Sequence, residues 1–413
     1  MIRSPEAEAY LAGDIPASSA APVAAKLLHA ALFFAILLSP LVFIEPSPYE
    51  AGTALLALAC LVAGVRIDPK ILPLAILLII LNAGGAMTLL PMMDNSRALI
   101  YAAISFYLAV TTIVFACLFV EDSFRRLEIM RRAYLVAAVL VSLIGIAGYF
   151  GLIPDAALYG RARATFKDPN VFGPFLILPL MFLMQSLFAQ FRIRNLLLFC
   201  LVAFALLLSF SRGAWAHFLL SAAVLVVLTF LTAPDVRTRV RLILLSIVSV
   251  AALAGLLTVA LSFGTVGDVF EKRAKLTQSY DVRSGGRFDL QSKAADVLLE
   301  NPGGLGPHEF ERVYGGQQHN VYLQAFLVYG WAGGFAYVTL LILTLLLGLR
   351  LSIVPTPLQP YLIATLATFF GLIAEGFIID TDHWRHFYLI LGLIWGLAAA
   401  TLNLIRRDRQ RLA

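Results

Sequence analysis

His319 and Asn320 occupy the last polar step before a long apolar run, in GGQQHNVYLQ (315–324). An imidazole titrating at about 6.5 is the ready general base near neutral pH. A sugar hydroxyl attacking an anomeric carbon needs such a base, and Asn320 is placed to orient the ring or the sugar. Positive charge gathers in three other stretches. They are GRARATFKDPNVFG (160–173) with Arg161, Arg163 and Asn170, SFSRGAWA (209–216) with Arg212, and DVRSGGRFDL (281–290) with Arg283 and Arg287. The planar guanidinium fork binds phosphate oxygens in pairs and does not lose its proton. Gly285 and Gly286 let the backbone beside Arg287 come close to a ligand. A lone arginine at membrane depth costs about 2.5–3.5 kcal/mol. Arg212 therefore snorkels to the headgroups, pairs with a carboxylate, or shares an anion with the other arginines.

The elements that must position these residues are apolar helices. Of the 413 residues, 60% are hydrophobic and 14% charged, where a soluble domain has roughly half and a quarter. The excess comes in blocks about 20 residues long, the length that crosses a hydrocarbon core. Twelve such blocks are expected, near 25–45, 50–66, 71–92, 98–120, 133–153, 171–190, 195–210, 213–232, 242–263, 320–348, 359–379 and 386–404. The fold class predicted is all-α: a polytopic membrane protein with about twelve transmembrane helices and one long helical periplasmic loop at 264–319. Residues 1–22 read as a flexible cytoplasmic tail without a signal-peptide pattern, and 23–413 as a single transmembrane domain. Cys60, Cys117 and Cys200 lie inside apolar blocks and read as packing residues.

With the N-terminus inside, 18 of the 31 Lys and Arg fall on the cytoplasmic side. Seven of the other 13 belong to the one long loop, and long loops cross largely regardless of charge. This bias predicts both termini inside, with His319 and the three arginine stretches facing outward. The net charge of +6 is then an orientation bias plus attraction to anionic lipid. The basic residues are dispersed over many loops, which argues against nucleic-acid binding. An anion at the outer edge of a membrane, with its tail in lipid, points to a lipid-linked diphosphate. Arginines there bind it and stabilise the charge that grows as it leaves.

Four segments resemble the O-antigen ligase and O-antigen polymerase superfamily of bacterial inner-membrane glycosyltransferases. They are ATFKDPNVFGPFLILPL, LLLSFSRGAW, GRFDLQSKAADVLLENPGGLGPHEF and HNVYLQAFLVYGWAG, the last with Gly330 and Gly333 at ligase-type spacing from His319. The resemblance covers roughly 155–345 by motif. It implies en bloc transfer of a glycan from undecaprenyl diphosphate to an acceptor, without cofactor and generally without metal. His319 matches the histidine proposed to activate the acceptor, and Arg212 and Arg287 match the arginines that hold the diphosphate. Arg161, Arg163, Arg283, Asn170 and Asn320 are the further substrate-binding candidates. None of Arg161, Arg163, Arg212, Arg283 and Arg287 precedes a glycine at the spacing common in the polymerases, which favours a ligase acting on lipid A-core over a polymerase acting on another glycan.

Other signals stay open. Glu375 is an acid within a span, functional by default or paired with an arginine. Asp380 and Asp382 have a D-x-D spacing that binds metal elsewhere, but read better as a polar cap for the following helix. Trp384 reads as an interfacial anchor, and GDVFEKRAKL (267–276) as a helix on the membrane surface. A twelve-helix transporter or flippase is the rival class, opposed by the lack of an obvious internal repeat.

Overall fold

The protein is described here from a computed structural model covering residues 22–44, 46–262, 267, 270 and 285–412. Arg283 and most of 267–276, including the expected surface helix, lie outside the described residues, as do residues 1–21. Fifteen α-helices form among the described residues. They are α1 (Pro22–Leu37), α2 (Pro48–Val62), α3 (Leu72–Leu89), α4 (Ser96–Leu118), α5 (Ser123–Tyr149), α6 (Pro169–Phe175), α7 (Ile177–Ala189), α8 (Ile193–Leu208), α9 (Arg212–Thr232), α10 (Val236–Ser262), α11 (Arg287–Glu300), α12 (Glu309–Tyr314), α13 (Val321–Ser352), α14 (Gln359–Glu375) and α15 (Arg385–Leu412). The only strands among them are the two-residue pair Ala157–Leu158 and Arg161–Ala162.

Each of the twelve expected apolar blocks coincides with a helix or a joined pair. Eight are long and apolar enough to cross a bilayer, and α1, α2 and α8 are shorter apolar helices. α14, the remaining one, has 17 residues. This is a helical polytopic membrane protein. α7 and α15 are enclosed by the others, while α10 is buried over only 12% of its apolar window. Cys60 and Cys117 are buried in the core, as packing residues should be.

Helix starts near the chemistry-bearing loops are capped by side chains. Asn95, Asp168, Ser211 and Asn320 accept from the first backbone N–H groups of α4, α6, α9 and α13, satisfying donors that lack a partner within the helix. At the other end of α4, buried Arg126 donates Nη1 to the Leu118 carbonyl at 2.7 Å. The long loop rests on the bundle through a small separate core. Leu290, Ala294 and Val297 of α11 pack with Phe310 and with Leu327 of α13.

α13 is broken at Gly330, whose φ of 65° and ψ of −179° are not helical. The loop NPGGLG (301–306) fits into this break. Leu305 N–H and Gly306 N–H donate to the Leu327 carbonyl at 2.7 and 3.1 Å, and Trp331 N–H donates to Pro302 O at 2.9 Å. Thr88 Oγ1 donates to the Val328 carbonyl at 2.7 Å. The backbone groups freed by the break are thus paired again, as they must be away from water.

Candidate functional site

His319 lies at the entry to α13 in the left-handed region, with φ 48°. That conformation is costly for a residue with a Cβ, and the flanking contacts hold it. Asn320 Oδ1 accepts from Tyr322 N–H and Leu323 N–H at 3.0 and 3.1 Å, so its carbonyl oxygen is a helix cap. Its Nδ2 donates to Phe377 O at 3.3 Å. Val321 N–H donates to Gly376 O at 2.9 Å. From α11, Gln291 Nε2 reaches both His319 O and Phe377 O at 3.2 Å. His319 is therefore clamped between α11 and the turn that follows α14, with its side chain 42% exposed.

The imidazole Nδ1 stands 3.7 Å from Asp380 Oδ2, an ion-pair contact longer than a hydrogen bond. Asp380 Oδ1 is buried without a hydrogen-bond partner among the described residues. Burial, and then the Asp382 carboxylate, push the Asp380 pKa up to about 7. The Asn320 backbone N–H and the Arg287 guanidinium pull against that rise, while Glu311 adds to it. His319, Asp380 and Arg287 therefore belong to one electrostatic unit. Arg287 begins α11 directly after buried Gly286, which itself follows Gly285 at φ 74°.

The D-x-D carboxylates are not spent as the polar cap expected of them. Asp380 faces His319, and Asp382 accepts from Tyr101 Oη. Tyr101 Oη in turn receives Gln324 Nε2 at 3.2 Å, and Gln318 donates to Gln324. Trp384 is buried rather than anchored at an interface, because the turn folds back onto α15 and its ring sits 5.2 Å from that of His386.

Arg212 is the first residue of α9, preceded by Phe210 at φ 46° and by the cap Ser211. The same turn of helix touches α14. A Cβ at Gly213 would come within 2.8 Å of Glu375 Oε1. Glu375 Oε2 contacts His217 Nδ1 at 2.8 Å, and His217 Nε2 lies 2.9 Å from Thr368 O. Glu375 thus pairs with a histidine rather than an arginine. It lies at the C-terminal end of α14, one residue before Gly376, which receives the Val321 N–H. Arg212 and His319 accordingly flank the same helix end.

Arg161 is buried. Its Nε donates to Ser209 O at 2.8 Å and its Nη2 to Asn170 Oδ1 at 2.7 Å. These two candidates bond to each other and brace the turn that presents Arg212. Arg163 Nε donates to Asp155 O at 2.8 Å, and Nη1 to Lys167 O at 3.4 Å, within its own loop. The sequence reading did not pair Asp380 with His319 or His217 with Glu375. Each partner lies on a separate segment, and no spacing in the chain connects them.

The arrangement offers an accessible imidazole, an adjacent carboxylate that titrates near neutrality, and a guanidinium that acts on that carboxylate. No curated protein matches the chain. Residues 197–338, which hold Arg212, Arg287, His319 and Asn320, match the family described as O-antigen ligase. That match supports the resemblance of this helical membrane protein to the O-antigen ligase and polymerase superfamily over the stretch that holds most of the candidate site.

Proposed function

We propose that the protein transfers a glycan en bloc from a polyprenyl diphosphate to an acceptor hydroxyl on the outer face of the inner membrane. The observation that carries the reading is the contact of half-exposed His319 with Asp380 inside the field of Arg287. His319 takes the proton from the acceptor hydroxyl as its oxygen bonds to the anomeric carbon. The bond from that carbon to the diphosphate oxygen breaks, and undecaprenyl diphosphate leaves with the electron pair. Ionised Asp380 stabilises the imidazolium that forms, as a buried carboxylate does beside a catalytic histidine. Arg287 and Arg212 hold the diphosphate and stabilise its growing charge. A diphosphate held this way leaves without being protonated, so no second acid and no metal is required. Asn320 and the Arg161–Asn170 pair position the site, the first by capping α13 and the second by bracing the turn before Arg212.

The test is transfer by the purified protein from an undecaprenyl-diphosphate glycan in the presence of EDTA. His319→Ala is expected to abolish turnover while donor binding survives. Normal transfer by that variant would sink the mechanism, and inhibition by EDTA would restore a metal role for Asp380 and Asp382. The acceptor separates ligase from polymerase. Long donor-linked chains that never reach lipid A-core in a deletion strain mean ligase, and single capped repeats mean polymerase. The ligase reading is favoured by the lack of the polymerase-type arginine–glycine spacing at Arg161, Arg163, Arg212, Arg283 and Arg287.

A further inference from the structure

The proposed chemistry leaves one buried pair of titratable groups unused. The side chains of His217 in α9 and Glu375 in α14 are 0% and 1% exposed, so a charge on either must be neutralised where it stands. His217 Nε2 lies 2.9 Å from the Thr368 carbonyl oxygen. A carbonyl only accepts, so Nε2 carries a proton and donates it there. His217 Nδ1 lies 2.8 Å from Glu375 Oε2. Two lone pairs would repel at that distance, so a second proton stands between them. The pair is neutral overall, whether that proton sits on nitrogen or on oxygen.

Thr368, Gly371 and Glu375 stand at i, i+3 and i+7 of α14, a single stripe on one helix face. The imidazole spans that stripe, bonded at both ends and lying over Gly371, where a Cβ would come within 2.2 Å of His217 Cδ2. Sliding or rolling α9 along α14 would break one of the two bonds and leave a buried polar atom unpaired. Both sides of this joint lead to the site. Arg212 begins α9 five residues before His217. Glu375 is the last residue of α14, and Gly376 O accepts the Val321 N–H at 2.9 Å, two residues after His319. Ile373 O accepts Tyr322 Oη at 2.8 Å. The segments that present Arg212 and His319 are thus tied to the same last turns of α14.

We infer that His217 and Glu375 form a positioning couple that fixes Arg212 relative to His319, so that the diphosphate and the acceptor hydroxyl meet at reacting distance. Neither residue touches substrate. The couple acts through its two hydrogen bonds and the fit over Gly371, and it keeps its proton throughout, since the base is His319. The inference deepens the proposed glycosyl transfer and rests on it for the roles of Arg212 and His319.

Two variants of the detergent-solubilised full chain test it. Each is measured for melting temperature, for kcat and donor KM with an undecaprenyl-diphosphate glycan, and for hydrogen–deuterium exchange of the peptide that contains Val321. Glu375→Gln puts an amide N–H where the shared proton stands, so all three readouts are expected to stay near wild type. His217→Phe combined with Glu375→Leu removes both polar groups together and leaves no buried charge unpaired, so melting is expected to stay near wild type or rise. Its kcat is expected to fall about 100-fold, the effect of a displacement of about 1 Å at the reacting groups. Donor KM should change far less, and the Val321 peptide should exchange faster. Loss of transfer in Glu375→Gln would show that the proton itself is used and would overturn the positioning role, whether or not the double variant folds. Wild-type kcat in the double variant would reduce the couple to packing and overturn it equally. The exchange readout needs no turnover. A wild-type protein that transfers nothing sinks the proposed function, and unchanged exchange in the double variant sinks the couple by itself.

Discussion

Replacing Asp380 by asparagine separates two consequences of burying a carboxylate beside His319. Burial and Asp382 raise the Asp380 pKa from an ordinary 3.8 to about 7. Each pH unit between those values is worth about 1.4 kcal/mol. Keeping the ionised group in the folded protein at pH 8 therefore costs on the order of 4 kcal/mol. The sign follows from proton counting. Between pH 4 and 7 the folded state holds a proton that the unfolded chain has lost, so stability falls as pH rises through that window. Below it both states are protonated and there is no cost. A neutral carboxamide at this position carries no such burden. Asp380→Asn should therefore raise the melting temperature of the solubilised protein at pH 8 and change it little near pH 4.5. Transfer should move the opposite way. The wild-type rate should climb through pH 7 as Asp380 ionises, and the variant should lose up to about 10⁴ in rate, the worth of the carboxylate that supports a catalytic histidine. A thermal-shift series from pH 4.5 to 8.5 and a pH–rate profile check both. A melting difference that does not vary with pH would refute the burial argument. Undiminished transfer by the variant would refute the pairing with His319.

Two further sets of variants probe positioning. Gly330→Ala places a side chain at φ 65°, where its Cβ would lie 2.8 Å from Gly303 O. A loss of about 1–3 kcal/mol from backbone strain is expected, read as a lower melting temperature with increased proteolysis in the 301–306 loop. Unchanged melting would count against the plugged break. Arg161→Ala should lower stability while the affinity of intact protein for the donor stays near wild type, because Ser209 O and Asn170 lose their donor. Arg287→Ala and Arg212→Ala should instead raise the KM for donor with little change in melting. A large KM effect at Arg161 with no loss of stability would move it from brace to binding residue.

The helical class was legible because crossing lipid imposes length and apolarity on each segment, and both can be read from the chain. His319 was legible because a titratable ring at the polar edge of an apolar run has few neighbours to explain it. Asp380 was harder. Its D-x-D spacing suggested a cap or a metal, and only the return of α14 beside α13 brings it to the imidazole. Arg161 stood out for its charge at a loop, yet charge alone does not reveal that Ser209 O and Asn170 already claim its donors. Glu375 was recognised as unusual but lacked its partner, since His217 belongs to a different helix. Sequence thus exposes residues that are costly where they stand. The contacts that offset the cost depend on which helices meet.

The break at Gly330 also bears on how the protein is made. A membrane helix usually enters lipid as a self-sufficient unit, with every backbone group bonded within it. α13 is not one, because the carbonyls of Leu327 and Val328 depend on Leu305, Gly306 and Thr88. All three of those partners leave the ribosome before α13 does. The order of synthesis thus supplies the socket before the helix that needs it. The segment should then insert poorly when presented alone, and a straightening substitution at Gly330 should help the isolated segment while harming the whole protein.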